Sequence, residues 1–251
     1  MRENAKFSAT RAALASVVIL GAAAMIPASG QQAAPAGGET GKPLTLGVVL
    51  YPGFEVLDVF GPVEMFVNIP ANLLQVVMVA EKAGAVASGP GKTGGAFSGP
   101  KAVADFGFED APPLDIILVP GGFGTLTELD NPKMLAWLKE RSAKAQLTTS
   151  VCSGSALLAK AGLLDGKKAT SNKSFFTMMT AQGKLVEWIP SARWVEDGNM
   201  ITSSGVSAGM DMALAVIARL FGEEAAEGIA KGTEYVWSKD PSNDPFAVEV
   251  K

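Results

Sequence analysis

From Leu44 onward, apolar runs recur along the chain without the polar alternation of a half-exposed strand. These runs cover residues 44–50, 73–80 and 115–120, and two further runs richer in Thr and Ser cover residues 145–152 and 199–204. Apolar runs of this length are typical of strands that are covered on both faces. We therefore predict five strands buried in the middle of a sheet.

Segments with helical spacing separate these strands. Asn131-Pro132 opens the clearest of them, because Pro suits the first turn of a helix and apolar residues then follow on one face. The predicted helices cover residues 132–145, 155–161, 208–221 and 223–236. Strands that alternate with helices predict a parallel sheet with helices on both sides. The Gly-rich segment 82–108 is predicted to form a hairpin.

The N-terminal segment has a different character. Basic residues precede an apolar run of 15 residues, Ala12 to Ile26, and small residues follow at Ala28-Ser29-Gly30. This is the pattern of a secretory signal peptide over residues 1–30, because a membrane span needs about 20 apolar residues. We predict export to a bacterial periplasm without stable membrane insertion, or a membrane tether if the segment is not cleaved. Residues 31–43 are predicted to be a flexible linker and residues 44–251 a single domain.

Charge and cysteine content narrow the function. The 251 residues carry a net charge of −4, and removing segment 1–30, with its surplus of +2, leaves −6. An acidic exported domain without clusters of Lys or Arg is a poor candidate for binding nucleic acid. The chain contains one cysteine and no histidine, so an intramolecular disulfide and an imidazole-activated thiol are both excluded.

That cysteine, Cys152, lies in "LTTSVCSGSALLAKAGLL", where a predicted strand passes into a predicted helix. A thiol in the first turn of a helix faces free N–H groups that favour the thiolate. Gly154 lets the helix begin close to the strand, as in a nucleophile elbow. The alternative is an inert, buried structural cysteine.

Without histidine, a reactive thiol needs another polar partner. Glu55, Asp58 and Glu64 follow the first predicted strand, and the carboxyl ends of parallel strands converge on one edge of a sheet. A carboxyl group there can meet the thiol and act as a proton donor with a raised pKa. For each of these three acids, the alternative is a surface charge without a chemical role. We favour this alternative for Glu55, and it also suits Glu64 as a helix residue.

Two Gly-rich turns are further candidates. Residues 120–125, "PGGFGT", can expose backbone N–H groups toward a ligand. Residues 205–209, "GVSAG", fit the G-x-S-x-G pattern of serine hydrolases, but that mechanism requires a histidine. We therefore predict that Gly205 and Gly209 permit close packing of helix against strand and that Ser207 caps the helix.

The stretches "LDVFGPVEMF", "ILVPGGFGT", "VCSGSALLAKAGLLDGKKAT" and "ITSSGVSAGMDMAL" stand in the order of the ThiJ/PfpI superfamily, flavodoxin-like relatives of class I glutamine amidotransferases. The chain resembles this family over residues 44 to 247, and within it the isonitrile hydratase-like branch. The resemblance implies an α/β fold, a flavodoxin-like three-layer α/β/α sandwich with a mostly parallel central sheet.

The resemblance also implies roles for particular residues. Cys152 would be the nucleophile, Asp58 the acidic residue after the first strand, and Gly121 and Gly122 the backbone donors near the nucleophile. Ser153 takes the place of the Thr that commonly follows the cysteine in the hydratases and would share its catalytic role.

One further position departs from the family pattern. Asn172 stands where several hydratases have His, so the substrate is left open.

The implied activity is that of a cysteine-dependent hydro-lyase that hydrates a small isocyanide to an N-substituted formamide. No organic cofactor is implied, and no metal, because a lone cysteine without histidine cannot build a metal site. A homodimer is implied by the family. The alternatives are glyoxalase or deglycase activity on reactive carbonyls, and a periplasmic redox-sensing or ligand-sensing domain without catalysis.

Overall fold

The computed structural model describes residues 41–89 and 99–248. The predicted signal peptide and most of the predicted linker lie outside the described residues. Strands and helices alternate, and in chain order they are β1 (Leu44–Val49), α1 (Val56–Phe66), β2 (Leu74–Val79), β3 (Gly84–Ala87), β4 (Lys101–Ala104), β5 (Ile116–Val119), α2 (Thr125–Glu128), α3 (Pro132–Ser142), β6 (Leu147–Ser150), α4 (Gly154–Lys160), β7 (Lys168–Ala169), α5 (Phe176–Thr180), β8 (Glu187–Trp188), β9 (Trp194–Asp197), β10 (Met200–Ser203), α6 (Ala208–Phe221) and α7 (Glu223–Gly232). Within the two described ranges, no helix combines the length and apolarity that a membrane crossing requires.

Six strands form the central sheet in the order β2-β1-β5-β6-β10-β9. Neighbouring strands pair in parallel, except that β9 runs antiparallel to β10. Helix α6 packs against α1 and α7, and α4 packs against α2 and α3. The predicted three-layer α/β/α architecture with a mostly parallel sheet is confirmed.

The five predicted strands are all present, because each is apolar or buried along its length. Every residue of β5 and β6 is buried, including Thr148 and Thr149. The edge strand β9 was not predicted, since its burial varies from residue to residue and it lacks a continuous apolar run. The hairpin predicted over residues 82–108 is confirmed by the antiparallel pairing of β3 with β4, and residues 90–98 lie outside the described residues.

Several helix ends follow from local sequence. The Asn131 side chain accepts hydrogen bonds from two backbone N–H groups in the first turn of α3, as an N-cap does. Gly154 begins α4, and a Cβ there would lie 2.3 Å from the Val119 carbonyl oxygen, so glycine permits the predicted close approach. Ser207 lies at the start of α6 but makes no capping hydrogen bond, so that prediction is wrong. Helix α7 ends at Gly232, four residues before the predicted end.

The fold brings four connections together at one edge of the sheet. They follow the carboxyl ends of the adjacent strands β1, β5, β6 and β10. In parallel α/β sheets the ligand crevice lies at this edge. Every candidate residue that the sequence indicated is on one of these connections or in the helix that follows it.

Candidate active site

Cys152 lies in the sharp turn between β6 and α4. Its φ is +59°, in the left-handed region that non-glycine residues seldom adopt. The Cys152 N–H donates to the Ser204 carbonyl oxygen at 3.0 Å. The hydroxyls of Ser155 and Ser171 each donate to the Cys152 carbonyl oxygen at 3.2 Å. These three bonds hold the unusual backbone conformation, which is the geometry of a nucleophile elbow.

The Cys152 thiol is buried but has donors around it. Asn172 Nδ2 donates to the sulfur at 3.0 Å, and the backbone N–H groups of Ser153 and Val206 are close enough to favour the thiolate. Burial outweighs these donors and, together with the negative charge of Asp58, raises the pKa of Cys152 to about 12. Burial therefore keeps the thiol protonated at neutral pH, although the Ser153 N–H at the helix start lowers the thiol pKa in the predicted direction.

Asp58 lies in the first turn of α1 and is fully buried. Its Oδ2 accepts the Gly121 N–H at 2.8 Å, whereas Oδ1 has no hydrogen-bond partner among the described residues. Burial raises the pKa of Asp58 to about 7, against the lowering effect of the Gly121 bond, and the charge of Glu55 raises it further. The nearby Cys152 thiol favours the carboxylate, although the two side chains do not meet hydrogen-bond geometry. Asp58 can therefore exchange a proton near neutral pH beside the sulfur.

The N–H groups of Gly121 and Gly122 are both occupied. Gly121 donates to Asp58 Oδ2, and Gly122 donates to Ser153 Oγ at 3.0 Å. A Cβ on Gly121 would lie 2.6 Å from the Ser153 N and 2.8 Å from Asp58 Oδ2, so no larger residue fits. The "PGG" turn thus positions the two side chains, and its donation to a bound substrate stays a prediction.

The Ser153 hydroxyl belongs to a buried chain of hydroxyl groups. Ser153 Oγ and Thr125 Oγ1 are 2.9 Å apart, as are Thr125 Oγ1 and the Tyr51 hydroxyl, which donates to the Pro120 carbonyl oxygen at 2.6 Å. Because the Tyr51 hydroxyl donates to a carbonyl oxygen, it accepts from Thr125, which in turn accepts from Ser153. The Ser153 hydroxyl also lies 3.4 Å from the Gly122 carbonyl oxygen, and this network indicates a positioning role for Ser153. Its catalytic role stays a prediction.

A cavity of about 330 Å³ opens beside the thiol. Its apolar lining residues are Phe123, Leu126, Phe175, Met178, Met179 and Val206, and the others are Glu55, Gly122, Cys152, Ser153 and Asn172. The Phe123 and Phe175 rings meet edge to face, with their centroids 6.0 Å apart. A mostly apolar cavity with a few polar groups beside a nucleophile is typical of a small-molecule site.

Asn172 is the contact that the sequence did not reveal. Its Oδ1 accepts the Phe175 N–H at 3.0 Å, which turns the amide nitrogen toward the Cys152 sulfur. A Cβ on Gly205 would lie 2.6 Å from Asn172 Nδ2, so this glycine leaves room for the amide. Asn172 was noted only as a departure from the hydratases, because 20 residues separate it from Cys152.

The positions of Glu55 and Val206 beside the site were not predicted from the sequence. Glu55, favoured as a surface charge, is half-buried and lines the cavity, whereas Glu64 is exposed on α1. Val206 adopts a φ of +48°, a strained conformation for a β-branched residue, beside the Cys152 sulfur. No sequence signal marks Val206, since its conformation is imposed by the turn between β10 and α6.

A cluster of four buried charges ties the C-terminal segment to the domain. Arg193 pairs with Asp211 at 2.6 Å and with Asp244 at 3.6 Å, and Lys173 Nζ lies 3.9 Å from Asp244. Burial lowers the pKa of Lys173 to about 8. The sequence did not point to a buried lysine. The Ser207 hydroxyl accepts from the Arg193 guanidinium at 3.5 Å, and this guanidinium cannot act as the base that a G-x-S-x-G hydrolase requires.

Comparison with known proteins identifies the family of this chain. Residues 46–219 match the model of the DJ-1/PfpI family. The chain belongs to this family. A relative, isonitrile hydratase of Pseudomonas putida, is 33% identical over 210 residues, which are 82% of this chain and 86% of that protein. The match to protein DJ-1 homolog B of Arabidopsis thaliana is 31% over 137 residues, 53% of this chain and 30% of that protein.

A solved structure extends the likeness to the backbone. The crystal structure of a ThiJ/PfpI family protein from Pseudomonas syringae has a TM-score of 0.69 and 32% identity, covering 84% of this chain and 82% of that one. In this DJ-1/PfpI protein, Asp58, Cys152, Asn172 and Val206 all fall within the matched residues, whereas Asp244 lies beyond them.

Proposed function

We propose that this protein hydrates an isocyanide to an N-substituted formamide, with Cys152 as the nucleophile. The observation that carries the proposal is the Cys152 thiol at the wall of an apolar cavity, backed by an Asp58 carboxyl whose pKa is about 7. The 33% identity to isonitrile hydratase over 82% of the chain supports the same reaction class.

In the first step, the Asp58 carboxylate accepts the thiol proton as the Cys152 sulfur attacks the terminal carbon of the isocyanide. A C–S bond forms, and Asp58 returns the proton to that carbon, which gives a thioimidate, R–N=CH–S-Cys. Asn172 Nδ2 and the N–H groups of Ser153 and Val206 stabilise negative charge on the sulfur as it develops.

In the second step, water adds to the thioimidate carbon. A C–O bond forms, and the imine nitrogen gains a proton as the water loses one. The C–S bond then breaks, the formamide R–NH–CHO leaves, and the sulfur recovers a proton through Asp58. The net reaction consumes one isocyanide and one water and restores the thiol and the carboxylate.

A direct assay separates this function from its alternatives. Wild-type protein is incubated with p-nitrophenyl isocyanide or with methylglyoxal, and the products and the mass of the Cys152 peptide are measured. Formamide production, with an adduct on Cys152 equal in mass to the whole isocyanide, supports hydration. Turnover of methylglyoxal alone would favour the carbonyl activity, and oxidation of Cys152 by mild peroxide without any turnover would favour a sensor.

The pH dependence of hydration follows from the one proton that the Cys152 thiol and the Asp58 carboxyl share. Below pH 7 both the thiol and Asp58 are protonated, and no base is available, whereas above pH 7 the pair holds one proton. We therefore expect kcat/KM to fall about tenfold per pH unit below the Asp58 pKa and to be level above it. A steady-state pH series between 5 and 9 measures this. A profile that instead falls as pH rises through 7 would assign Asp58 the role of an acid.

Export and assembly are also proposals. We propose that the chain is secreted after cleavage near residue 30 and forms a homodimer. Sequencing of the mature N-terminus and light scattering of the purified protein test them. Retention of residues 1–30 and a monomeric mass, respectively, would contradict them.

A further inference from the structure

The cavity carries a negative charge at its wall. Among the described residues that line it, Glu55 alone has a formally charged side chain, and no Lys or Arg is found there. The negative charge of Glu55 acts on the site, since it contributes to raising the pKa of Asp58. Glu55 is also tied to the catalytic turn, because its N–H donates to the Gly121 carbonyl oxygen at 2.8 Å.

The mouth of the cavity is apolar and exposed. Phe123, Leu126, Phe175 and Met178 are between 45% and 57% exposed and all line the cavity. Large apolar side chains clustered at the rim of a cavity are typical of a surface that an apolar group covers. The edge-to-face contact of Phe123 with Phe175 offers aromatic surface to such a group.

We infer that this cavity selects an uncharged electrophile with an aryl or alkyl substituent, and that Glu55 is the residue that excludes anions. The identity of the electrophile rests on the proposed function, under which the substrate is an isocyanide with an apolar N-substituent. The selectivity itself rests on the lining residues and applies to any reagent that reaches Cys152.

The physical reason is that an anion gains nothing in this cavity and loses its hydration. A carboxylate next to the sulfur would face the Glu55 carboxylate, and the described lining residues include no cation to compensate. Even at the dielectric constant of water, two like charges 4 Å apart repel enough to disfavour binding about fivefold. An aryl or alkyl group instead exchanges water for the Phe123, Phe175 and Met178 side chains.

A pair of alkylating reagents tests the charge selectivity without any turnover. Iodoacetamide and iodoacetate have nearly the same shape but differ by one negative charge. With either reagent the Cys152 sulfur displaces iodide, an S–C bond forms as the C–I bond breaks, and the thiol proton passes to water. Because the chain has one cysteine, the rate of modification reports on this site alone.

The measured quantity is the iodoacetamide-to-iodoacetate rate ratio, divided by the same ratio for free N-acetylcysteine. We expect Glu55→Gln to lower this normalised ratio about fivefold, and 1 M salt to lower it in the wild type. Glu55→Gln also lowers the pKa of Asp58, so the ratio is measured well above pH 7, where Asp58 is ionised in both proteins and repels iodoacetate in both. Glu64→Gln, at an exposed position of the helix that follows Glu55, is the matched control. An unchanged ratio in Glu55→Gln would overturn the role of Glu55.

Maleimides test the apolar selectivity. The sulfur adds to the maleimide double bond, and the thiol proton goes to the neighbouring carbon. We expect the N-benzyl-to-N-methyl rate ratio, normalised to a free thiol, to be about ten and to fall toward one in Phe175→Ala. That variant keeps the backbone N–H that orients Asn172. A ratio near one in the wild type would overturn the apolar selectivity.

Turnover separates this inference from the proposed function. Benzyl isocyanide is compared with isocyanoacetate under the same conditions. Hydration of both at equal kcat/KM would overturn the selectivity while supporting the hydratase. Alkylation that shows the expected selectivity, with neither isocyanide hydrated, would overturn the hydratase and leave the selectivity of the cavity supported.

Discussion

Replacing Cys152 by alanine is expected to lower kcat/KM for isocyanide hydration by at least about 10³-fold, because no covalent thioimidate can form. The turn itself should persist, since alanine can occupy the same backbone position and the three hydrogen bonds around Cys152 are made by its backbone. Initial rates of formamide formation measure the loss, and circular dichroism with thermal unfolding verifies the fold.

Two further variants sharpen this result. Cys152→Ser keeps a small polar side chain but supplies a poor nucleophile, so it should be nearly as inactive as Cys152→Ala. Glu64→Gln, on an exposed helix position, should retain wild-type rates. Residual hydration within tenfold of the wild type in Cys152→Ala would show that the reaction does not pass through the sulfur.

Replacing Asp58 by asparagine is expected to change activity and stability in opposite directions. The variant removes the base that accepts the thiol proton, so kcat/KM should fall by about 10²- to 10⁴-fold. Asparagine still offers an acceptor for the Gly121 N–H, and it removes a buried charge. We therefore expect the free energy of unfolding to rise at pH 8.

The direction of this change in the free energy of unfolding follows from the pKa of Asp58. Because the pKa rises from its usual 3.8 to about 7 on folding, the folded state binds the proton more tightly than the unfolded state. The resulting destabilisation is absent below pH 3.8, grows as the pH rises, and is complete above pH 7. Its size is on the order of 2–4 kcal/mol at pH 8, and the gain in Asp58→Asn should shrink toward pH 4.

Urea unfolding of both proteins at pH 4.5, 6 and 8 measures this trend, with Glu64→Gln as the surface-carboxyl control. A gain that is constant with pH would show that Asp58 does not titrate with a raised pKa. A gain in stability without loss of activity would mean that Asp58 is a buried carboxyl outside the reaction.

Much of the fold is encoded locally. The strands β1, β5 and β6 are buried throughout or nearly so, so their apolar or small residues predict them without reference to any partner. Asn131-Pro132 predicted the start of α3, and both ends of α6 were predicted correctly. The edge strand β9 escaped prediction because half-exposed residues at the border of a sheet carry a weaker pattern.

The candidate site also has features that the sequence predicts and features that it does not. Chain order alone placed Cys152 after one central strand and Asp58 after another, because parallel strands direct their carboxyl ends to one edge. The sequence could not show that the Gly121 N–H is taken up by Asp58, 63 residues away, or that Asn172 donates to the sulfur. It also could not show that Glu55 borders the cavity.

By itself, then, the sequence determined the α/β architecture, the lone thiol and the carboxyl group near it, since these depend on residue type and order. The tertiary structure alone decided the protonation of that thiol and the donors around it. The charge that acts on Cys152 is that of Asp58, and the amide that donates to its sulfur is that of Asn172, both distant along the chain. A pKa depends on the distances and dielectric surroundings that only the folded packing creates.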